Sequence, residues 1–191
     1  MSDRAGFYGA KLGSKFPGST PWVGPDGRLC AIWILGNDYR NKTPYHGAYP
    51  PNYLDRVTAL FPDADKTLHL FSGSLPKDPS YTRFDVRDDI DTDVRGDAHQ
   101  LSTYFKRRKF DLILADPPYT NEDADHYGTK MVDRNKVVAE ATKLLPAGGY
   151  LVWLDMVLPM YRKAELALAG VIGLVRSTNH RFRCVVLFKK L

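Results

Sequence analysis

Strand-like apolar runs alternate with amphipathic segments over most of this sequence. The strands read "RLCAIWILG" (Arg28–Gly36), "KTLHLFSG", "YTRFDV", "TDVRGDA", "FDLILAD", "YLVWLDM", "VIGLVRST" and "RCVVLFKK". The spacing of apolar residues predicts helices in "PPNYLDRVTALF", "HQLSTYFKR", "DRNKVVAEATKLL" and "LPMYRKAELALAG". Such alternation indicates an α/β domain with a central sheet whose strands are mostly parallel.

Two connections depart from a regular α/β pattern. The last two strands are joined by a few residues around Asn179 and His180, too few for a parallel crossover, so an antiparallel C-terminal hairpin is expected. Only "LPKDPSY" separates Ser74 from Thr82, so the first crossover helix of the alternating core is predicted to be missing. Residues 1–28 are rich in Gly, Pro and Ser and are predicted to be loop-like.

Length and composition fit one compact domain. The chain has 191 residues, of which 43% are hydrophobic, enough to bury a core. No window approaches the ~18 consecutive apolar residues of a membrane span, and the first residues lack the apolar stretch of a secretory signal. Cys30 and Cys184 lie in apolar strand-like runs, which favours two buried thiols in a reducing cytoplasm. No Cys/His cluster has the spacing of a zinc site.

A formal net charge of +5 and a pI of about 9.1 suit a polyanionic partner. The cations occur as Lys106–Lys109, as Arg181 and Arg183 around Phe182, and as Lys189–Lys190. Any one of these runs is compatible with a plain solvated surface, whereas together they favour phosphate contacts. Acidic residues concentrate instead at 85–97 and 122–125.

Four polar motifs follow strands of the predicted parallel sheet. They are Phe71-Ser72-Gly73-Ser74 after the first strand of the alternating core, Asp85 at the second, Asp97 at the third, and Asp116-Pro117-Pro118-Tyr119 at the fourth. Ligands of such sheets bind outside the carboxyl ends of the strands. The sequence therefore predicts one site that gathers all four motifs.

The fourth motif has the chemistry of a clamp for an amine. Two consecutive prolines make a stiff turn, so the carbonyl of Pro117 and the carboxylate of Asp116 become two fixed acceptors for the hydrogens of a planar –NH₂. Tyr119 could stack on the ring that carries this amine. The amine lone pair would then point at an incoming electrophile.

The other motifs predict where the electrophile sits. A glycine turn at Gly73 lets a ligand approach the backbone closely, and Asp85 is placed to accept hydrogen bonds from ribose hydroxyls. The sequence has no phosphate-binding GxxxxGK[ST] motif, which argues against ATP. A nucleoside cofactor without a pyrophosphate fits better.

These residues resemble the class I S-adenosylmethionine-dependent methyltransferases, in particular the amino-methyltransferases of DNA. Asp116-Pro117-Pro118-Tyr119 matches their [DNS]PP[YFW] signature, and Phe71–Ser74 occupies the place of their glycine-rich loop, with Leu75 where a last glycine is usual. The resemblance spans about residues 45–191 and implies a catalytic core there, preceded by an N-terminal extension at 1–44. It implies a Rossmann-like sheet, S-adenosylmethionine as cofactor and DNA as partner.

The resemblance also assigns roles. It implies that Asp116 and the Pro117-Pro118 turn hold the target amine and that Tyr119 stacks on a flipped base. Further expected cofactor contacts are His46 and Pro50 before the first core strand, the loop Phe71, Ser72, Gly73 and Ser74, Asp85, and Asp97-Ala98 near the adenine. Expected substrate contacts besides Tyr119 are His126 and Tyr127 in a lid after the motif, and Arg181 and Arg183.

Several alternatives stay open at the level of sequence. Adenine N6 in DNA is favoured as the target, with cytosine N4, a base amine of RNA, or a catalytically silent fold that binds nucleic acid or a protein as alternatives. A large target-recognition domain is not evident, which predicts relaxed specificity, a homodimer or a separate specificity subunit. For Asp85, the alternative is a solvated acidic loop with Asp88, Asp89 and Asp91.

Overall fold

The structure is a computed structural model that describes residues 1–36, 49–176 and 179–191, with the side chains of 179–181 outside the description. The helices are α1 Ser2–Leu12, α2 Tyr53–Leu60, α3 Leu101–Phe105, α4 Asn121–His126 and α5 Arg134–Lys143. The strands are β1 Trp22–Val23, β2 Leu29–Leu35, β3 Thr67–Leu70, β4 Tyr81–Asp85, β5 Val94–Arg95, β6 Leu112–Ala115, β7 Tyr150–Asp155, β8 Leu166–Arg176 and β9 Asn179–Lys190. Short 3₁₀ turns occupy Pro17–Ser19 and Ala98–Gln100.

The nine strands form one sheet in the order β1-β2-β8-β9-β7-β6-β3-β4-β5. Strands β7, β6, β3, β4 and β5 pair in parallel, whereas β9 runs antiparallel to both of its neighbours β7 and β8. The predicted Rossmann-like sheet with an antiparallel C-terminal hairpin is therefore confirmed. The predicted lack of a helix between β3 and β4 is confirmed as well.

Two apolar clusters lie on the two faces of the sheet. One joins α1 and α2 to the face that carries Trp33 and Leu154. The other packs α3 and α5 against the face that carries Trp153 and Phe188. Trp33 and Trp153 are both fully buried, as expected of core residues. In the described part of the chain, no helix is long and apolar enough to cross a membrane.

The predicted loop over residues 1–28 is wrong in its first half, where α1 forms. Gly6 and Gly9 lower its intrinsic helix propensity, but Tyr8 and Leu12 are buried against the sheet and α2. The Arg4 guanidinium also pairs with Asp63 after α2. Tertiary packing therefore overrides the weak local preference.

The predicted helix at "LPMYRKAELALAG" is also wrong. The chain from Met156 to Glu165 has no helix, and Leu166–Gly170 already belongs to β8. Leu166, Ala167 and Leu168 pair with Lys190, Lys189 and Phe188 of β9, and after a β-bulge at Ala169 the pairing resumes at Gly170. Strand pairing on both sides of β8 thus outweighs the good helix formers Ala, Glu and Leu.

Of two further local predictions, the cap of α5 is confirmed and the burial of the two thiols is wrong. Asp133 caps α5, its side chain accepting a hydrogen bond from the Lys136 backbone N–H. Cys30 and Cys184 are free thiols, but both are partly exposed rather than buried.

Candidate active site at the carboxyl edge of the sheet

The Asp116–Tyr119 turn lies where it was predicted, directly after β6. Asp116 follows Ala115, the last residue of this buried strand, and Pro117 is buried beneath the turn. The Tyr119 hydroxyl donates a hydrogen bond back to the Asp116 carboxylate. The turn is therefore closed on itself, with its carboxylate held by its own aromatic side chain.

Asp116 is the electrostatic centre of the site. Burial raises its pKa to about 7, although the hydrogen bond from Tyr119 and the charge of Arg183 act in the opposite direction. Four tyrosines have pKa values raised first by burial and then by the Asp116 charge: Tyr49, Tyr53, Tyr119 and Tyr127. A carboxyl with a pKa close to neutrality inside a cage of phenols is suited to holding and accepting protons.

The glycine loop after β3 is held by Asp85. The Gly73 N–H donates to Asp85 Oδ2 at 2.9 Å, and the Arg87 N–H donates to Oδ1 at 3.1 Å. Phe71 and Gly73 both have left-handed backbones, with φ of 58° and 53°, a conformation that is costly for Phe71 and typical of functional loops. Ser72 is buried between them, and the Ser72 Oγ has no hydrogen-bond partner among the described residues.

Two tyrosines and a histidine connect the loop to the Asp116 turn. The Tyr49 and Tyr53 rings stack at 5.4 Å, and the Tyr49 hydroxyl lies 3.2 Å from His69 Nδ1 on β3. Burial lowers the pKa of His69 to about 4, so its ring is neutral at pH 7. The Tyr53 hydroxyl is buried without a partner in the described part of the chain. Sequence reasoning assigned no role to Tyr49 or Tyr53, and the only signal for them was their spacing of four residues in "YPPNY".

A buried ion pair anchors the turn from the other side, and no local sequence pattern predicted it. Arg134 Nε lies 2.6 Å from Asp155 Oδ2, and Arg134 Nη2 donates to the Tyr119 carbonyl at 2.9 Å. Asp155 has no exposed surface and also accepts from Trp153 Nε1 and from the Met156 N–H. Arg134, in the first turn of α5, thus joins the end of β7 to the end of the Asp116 turn.

Asp97 and Ala98 lie at the same edge, after β5. Asp97 caps the following 3₁₀ turn by accepting from the His99 N–H, and it also binds the His99 ring at 2.7 Å. His99 Nε2 in turn accepts from the Asp133 N–H at the start of α5. One oxygen of the Asp97 carboxylate is therefore already hydrogen-bonded within the protein. That Asp97 and the buried Ala98 lie beside a cofactor stays a prediction.

The residues predicted to contact the substrate differ in how directly they face the site. His126 and Tyr127 end the short helix α4 that follows the turn, and Tyr127 lies near enough to Asp116 for that carboxylate to raise its pKa. Arg183 is only 7% exposed, and its guanidinium covers the Tyr119 ring at 4.7 Å. Arg183 therefore faces the site rather than solvent, and one face of Tyr119 is already occupied.

Other expected residues lie outside this geometry. His46 lies outside the described residues, and so does the side chain of Arg181. Pro50 is buried and its carbonyl accepts from the Tyr53 N–H at the start of α2. Lys106–Lys109 precedes β6 and Lys189 pairs with Tyr150 at the start of β7, so both runs lie at the edge of the sheet opposite Asp116.

Comparisons with known proteins identify the fold. No protein family matches the sequence, and no curated protein matches it either. The structure is similar to TrmN from Thermus thermophilus, at a TM-score of 0.54 and 19% identity over 76% of this chain and 50% of that one. This chain therefore spans about half the length of TrmN.

A second similar structure is the N-methyltransferase NodS from Bradyrhizobium japonicum WM9 in complex with S-adenosyl-L-homocysteine. It matches at a TM-score of 0.43 and 12% identity, over 66% of this chain and 78% of that one. Together with the strand order and the antiparallel β9, the likeness to TrmN shows that the chain has a Rossmann-like fold.

Proposed function

We propose that the protein transfers a methyl group from S-adenosylmethionine to an exocyclic amine of a nucleic-acid base, with adenine N6 of DNA as the first substrate to test. One observation carries the proposal. The Asp116 carboxylate and the Pro117 carbonyl follow β6, the neighbour of β3, so they lie beside the Asp85-held glycine loop at one edge of the sheet. The residues proposed to hold the amine are therefore adjacent to the loop proposed to hold the nucleoside part of the cofactor.

The loop has the polar groups that the nucleoside end of the cofactor needs. Each Asp85 oxygen accepts one backbone N–H, which leaves each with capacity for a second hydrogen bond. Two such oxygens suit the two neighbouring hydroxyls of a ribose. The unpartnered Ser72 Oγ adds a further polar group beside them, and a buried hydroxyl of this kind is costly unless a ligand satisfies it.

The chemistry that the chain must supply is modest. S-adenosylmethionine, when bound, supplies a methyl group on a positively charged sulfur. Asp116 and the Pro117 carbonyl hold both amine hydrogens, so that the nitrogen lone pair points toward the glycine loop. As the nitrogen gains positive charge, the Asp116 carboxylate stabilises it and then accepts the proton that the nitrogen loses. The Tyr119 hydroxyl keeps the carboxylate in place during both steps.

The test is methyl transfer from radiolabelled S-adenosylmethionine onto DNA and RNA oligonucleotides, followed by digestion and nucleoside analysis. N6-methyladenosine in its deoxy form is the expected product. N4-methylcytosine or a methylated RNA base would keep the reaction class and change the substrate. Cofactor binding without a methylated nucleoside in any substrate would exclude the proposed reaction and favour a silent nucleic-acid-binding or protein-binding fold.

Cofactor binding gives an independent prediction. Asp85→Asn keeps the size of the side chain but removes its charge and one acceptor, so we expect S-adenosylmethionine affinity to fall about 10- to 100-fold, equivalent to the loss of one or two hydrogen bonds to a charged group. Calorimetric titration measures this. Asp88→Ala is the matched control, because Asp88 is an exposed acid three residues away. Equal affinity of wild type and Asp85→Asn would remove Asp85 from the cofactor site.

The pH dependence follows from the pKa of Asp116. Since burial raises this pKa to about 7, the carboxyl is largely protonated at pH 6 and ionised at pH 8. We expect kcat/KM to rise with pH through about 7 and then to level off. Tyr119→Phe removes a hydrogen bond that lowers this pKa, so the rise should move to higher pH. A flat wild-type profile between pH 6 and 8 would contradict the role of Asp116.

A further inference from the structure

One face of the sheet is apolar and open to solvent over strands β1, β2, β8 and β9. Register places its outward positions side by side, because Trp22 pairs with Cys30, Ile32 with Gly173, Ile34 with Val175, and Val175 with Phe182. We call these residues, with Val171 and Cys184, the open face. Trp22, Ile32, Ile34 and Phe182 are exposed by 54, 45, 64 and 53%.

The open face is continuous rather than a set of scattered side chains. A Cβ built on Gly173 would lie 2.8 Å from both Ile32 Cδ1 and Phe182 Cζ, so these two side chains close over the glycine from neighbouring strands. Cys184 pairs with Gly173 on one side and with Asp155 on the other. The face therefore extends across neighbouring strands from β1 to β9.

The sequence of β2 is that of a strand covered on both sides. "LCAIWIL" is apolar at every position, whereas a strand with one solvated face alternates apolar and polar residues. None of the nine residues of the open face is charged, although 26% of the residues of the whole chain are charged. An apolar surface of this extent marks an interaction site.

The connection between β7 and β8 gives the open face no helical cover. A helix was expected there, but the chain from Met156 to Glu165 forms bends and a turn at Lys163–Glu165 instead. In that segment Met156, Val157, Leu158 and Met160 are themselves exposed by 40 to 75%. The segment begins after Asp155, the partner of Cys184, and so it extends the apolar surface beside the open face.

Pairing through the edge of the sheet is blocked. The edge strand β1 has only two residues, and Pro21 and Pro25 lie on either side of it. A short edge strand flanked by prolines does not accept a further strand. A partner must therefore pack on the face of the sheet, not extend it.

We propose that the open face is the contact between two copies of this chain in a twofold dimer. A surface without charge cannot bind a polyanion and needs a surface that is itself apolar, and a twofold axis supplies one by bringing the face onto itself. The basic runs at Lys106–Lys109 and Lys189–Lys190 do not belong to this face, so the dimer does not bring them into direct contact.

The available area supports a dimer of moderate strength. Since an aromatic side chain buries about 150–250 Å², two half-exposed rings, two half-exposed isoleucines and their neighbours offer on the order of 500 Å² per copy. A standard interface uses about 800 Å² per partner, which the face approaches when the Met156–Met160 segment is included. We therefore expect dissociation in the micromolar range, the weak end for specific interfaces of standard size.

Both cysteines of the chain, Cys30 and Cys184, are partly exposed on the open face. The reactivity of their thiols therefore measures whether the face is covered. Sedimentation should show a monomer at low and a dimer at high micromolar concentration. The reaction of the two thiols with Ellman's reagent should slow at least about fivefold over the same range, because mass action populates the dimer.

Ile34→Lys would bury an unpaired charge in the dimer while leaving the monomer unstrained, since the Ile34 side chain is 64% exposed. This variant should stay monomeric, and its thiols should react at a rate independent of concentration. Leu191→Lys is the control, because Leu191 is similarly exposed (59%) but lies beyond the other end of β9. Thermal melting of dilute Ile34→Lys checks that the monomer is folded.

Three results would overturn the inference. Wild type could be monomeric at all concentrations, with thiols that react fast. It could also be monomeric with thiols that react slowly, and this second result would mean that the chain covers its own face. It could also form a dimer that survives Ile34→Lys with reactive thiols, which would assign the contact to another surface. None of these outcomes depends on whether the protein transfers methyl groups.

Discussion

Asp116→Asn is expected to lower kcat by about 100- to 1,000-fold, the range found when one preorganised group that stabilises transition-state charge is removed. The asparagine keeps an acceptor for one amine hydrogen, and its size is nearly that of aspartate. It loses the negative charge that stabilises the developing positive charge on the amine nitrogen, and it cannot take the departing proton. Single-turnover transfer onto an oligonucleotide that wild type methylates measures the effect.

Cofactor binding separates this effect from a general loss of structure. S-adenosylmethionine affinity of Asp116→Asn should stay within a few-fold of wild type, because Asp85 and the glycine loop are unchanged. Asp125→Asn is a matched control, since Asp125 is an exposed carboxylate in α4 of the same site edge. A wild-type rate for Asp116→Asn would refute the clamp, even if the protein proved to be a methyltransferase.

The core of the candidate site could be predicted because its residues follow strands. Gly73, Asp85 and Asp116 each come at the end of a short apolar run, and a parallel sheet brings such ends to one edge whatever lies between them in sequence. Turn chemistry then fixed the local shape, through the two prolines after Asp116 and the glycine after β3. The periodicity of the strands and the proline and glycine residues after them were sufficient to predict the core of the site.

The surroundings of the site could not be predicted, because they depend on tertiary packing. The sequence indicated a base-stacking role for Tyr119 but not that its hydroxyl binds Asp116 or that Arg183 covers its ring. It placed the basic runs near phosphates, yet Lys106–Lys109 lies at the opposite edge. Charge counts along a chain do not reveal which end of a strand carries the charge.

Secondary structure was mistaken where local propensity and pairing disagree. "AELALAG" reads as helix by its residue types, but β8 lies between β2 and β9 and pairs with both. The opposite error occurred at α1, where glycines hid a helix whose burial of Tyr8 and Leu12 maintains it. The first of these errors bears on the open face, because the connection between β7 and β8 contains no helix that could pack on it.

Arg134→Met is expected to be the most destabilising single substitution at the site edge, by about 3–5 kcal/mol, because it leaves the Asp155 carboxylate buried without its counter-charge. Asp155 has no exposed surface, and its bonds from Trp153 Nε1 and the Met156 N–H do not neutralise it. Urea unfolding measures the free energy. Arg162→Met is the matched control, since Arg162 pairs with Glu165 at 3.4 Å on the surface and should contribute less than about 1 kcal/mol.

The double variant Arg134→Met, Asp155→Asn tests the cause. Removing the buried charge as well should recover a large part of the lost stability, since a neutral amide costs less to bury than an unpaired carboxylate. Turnover should not recover together with stability, because the double variant still lacks the hydrogen bond from Arg134 Nη2 to the Tyr119 carbonyl. A stable double variant with full activity would show that the ion pair only supports the fold, whereas a stable but slow one would show that Arg134 also positions the turn that carries Asp116.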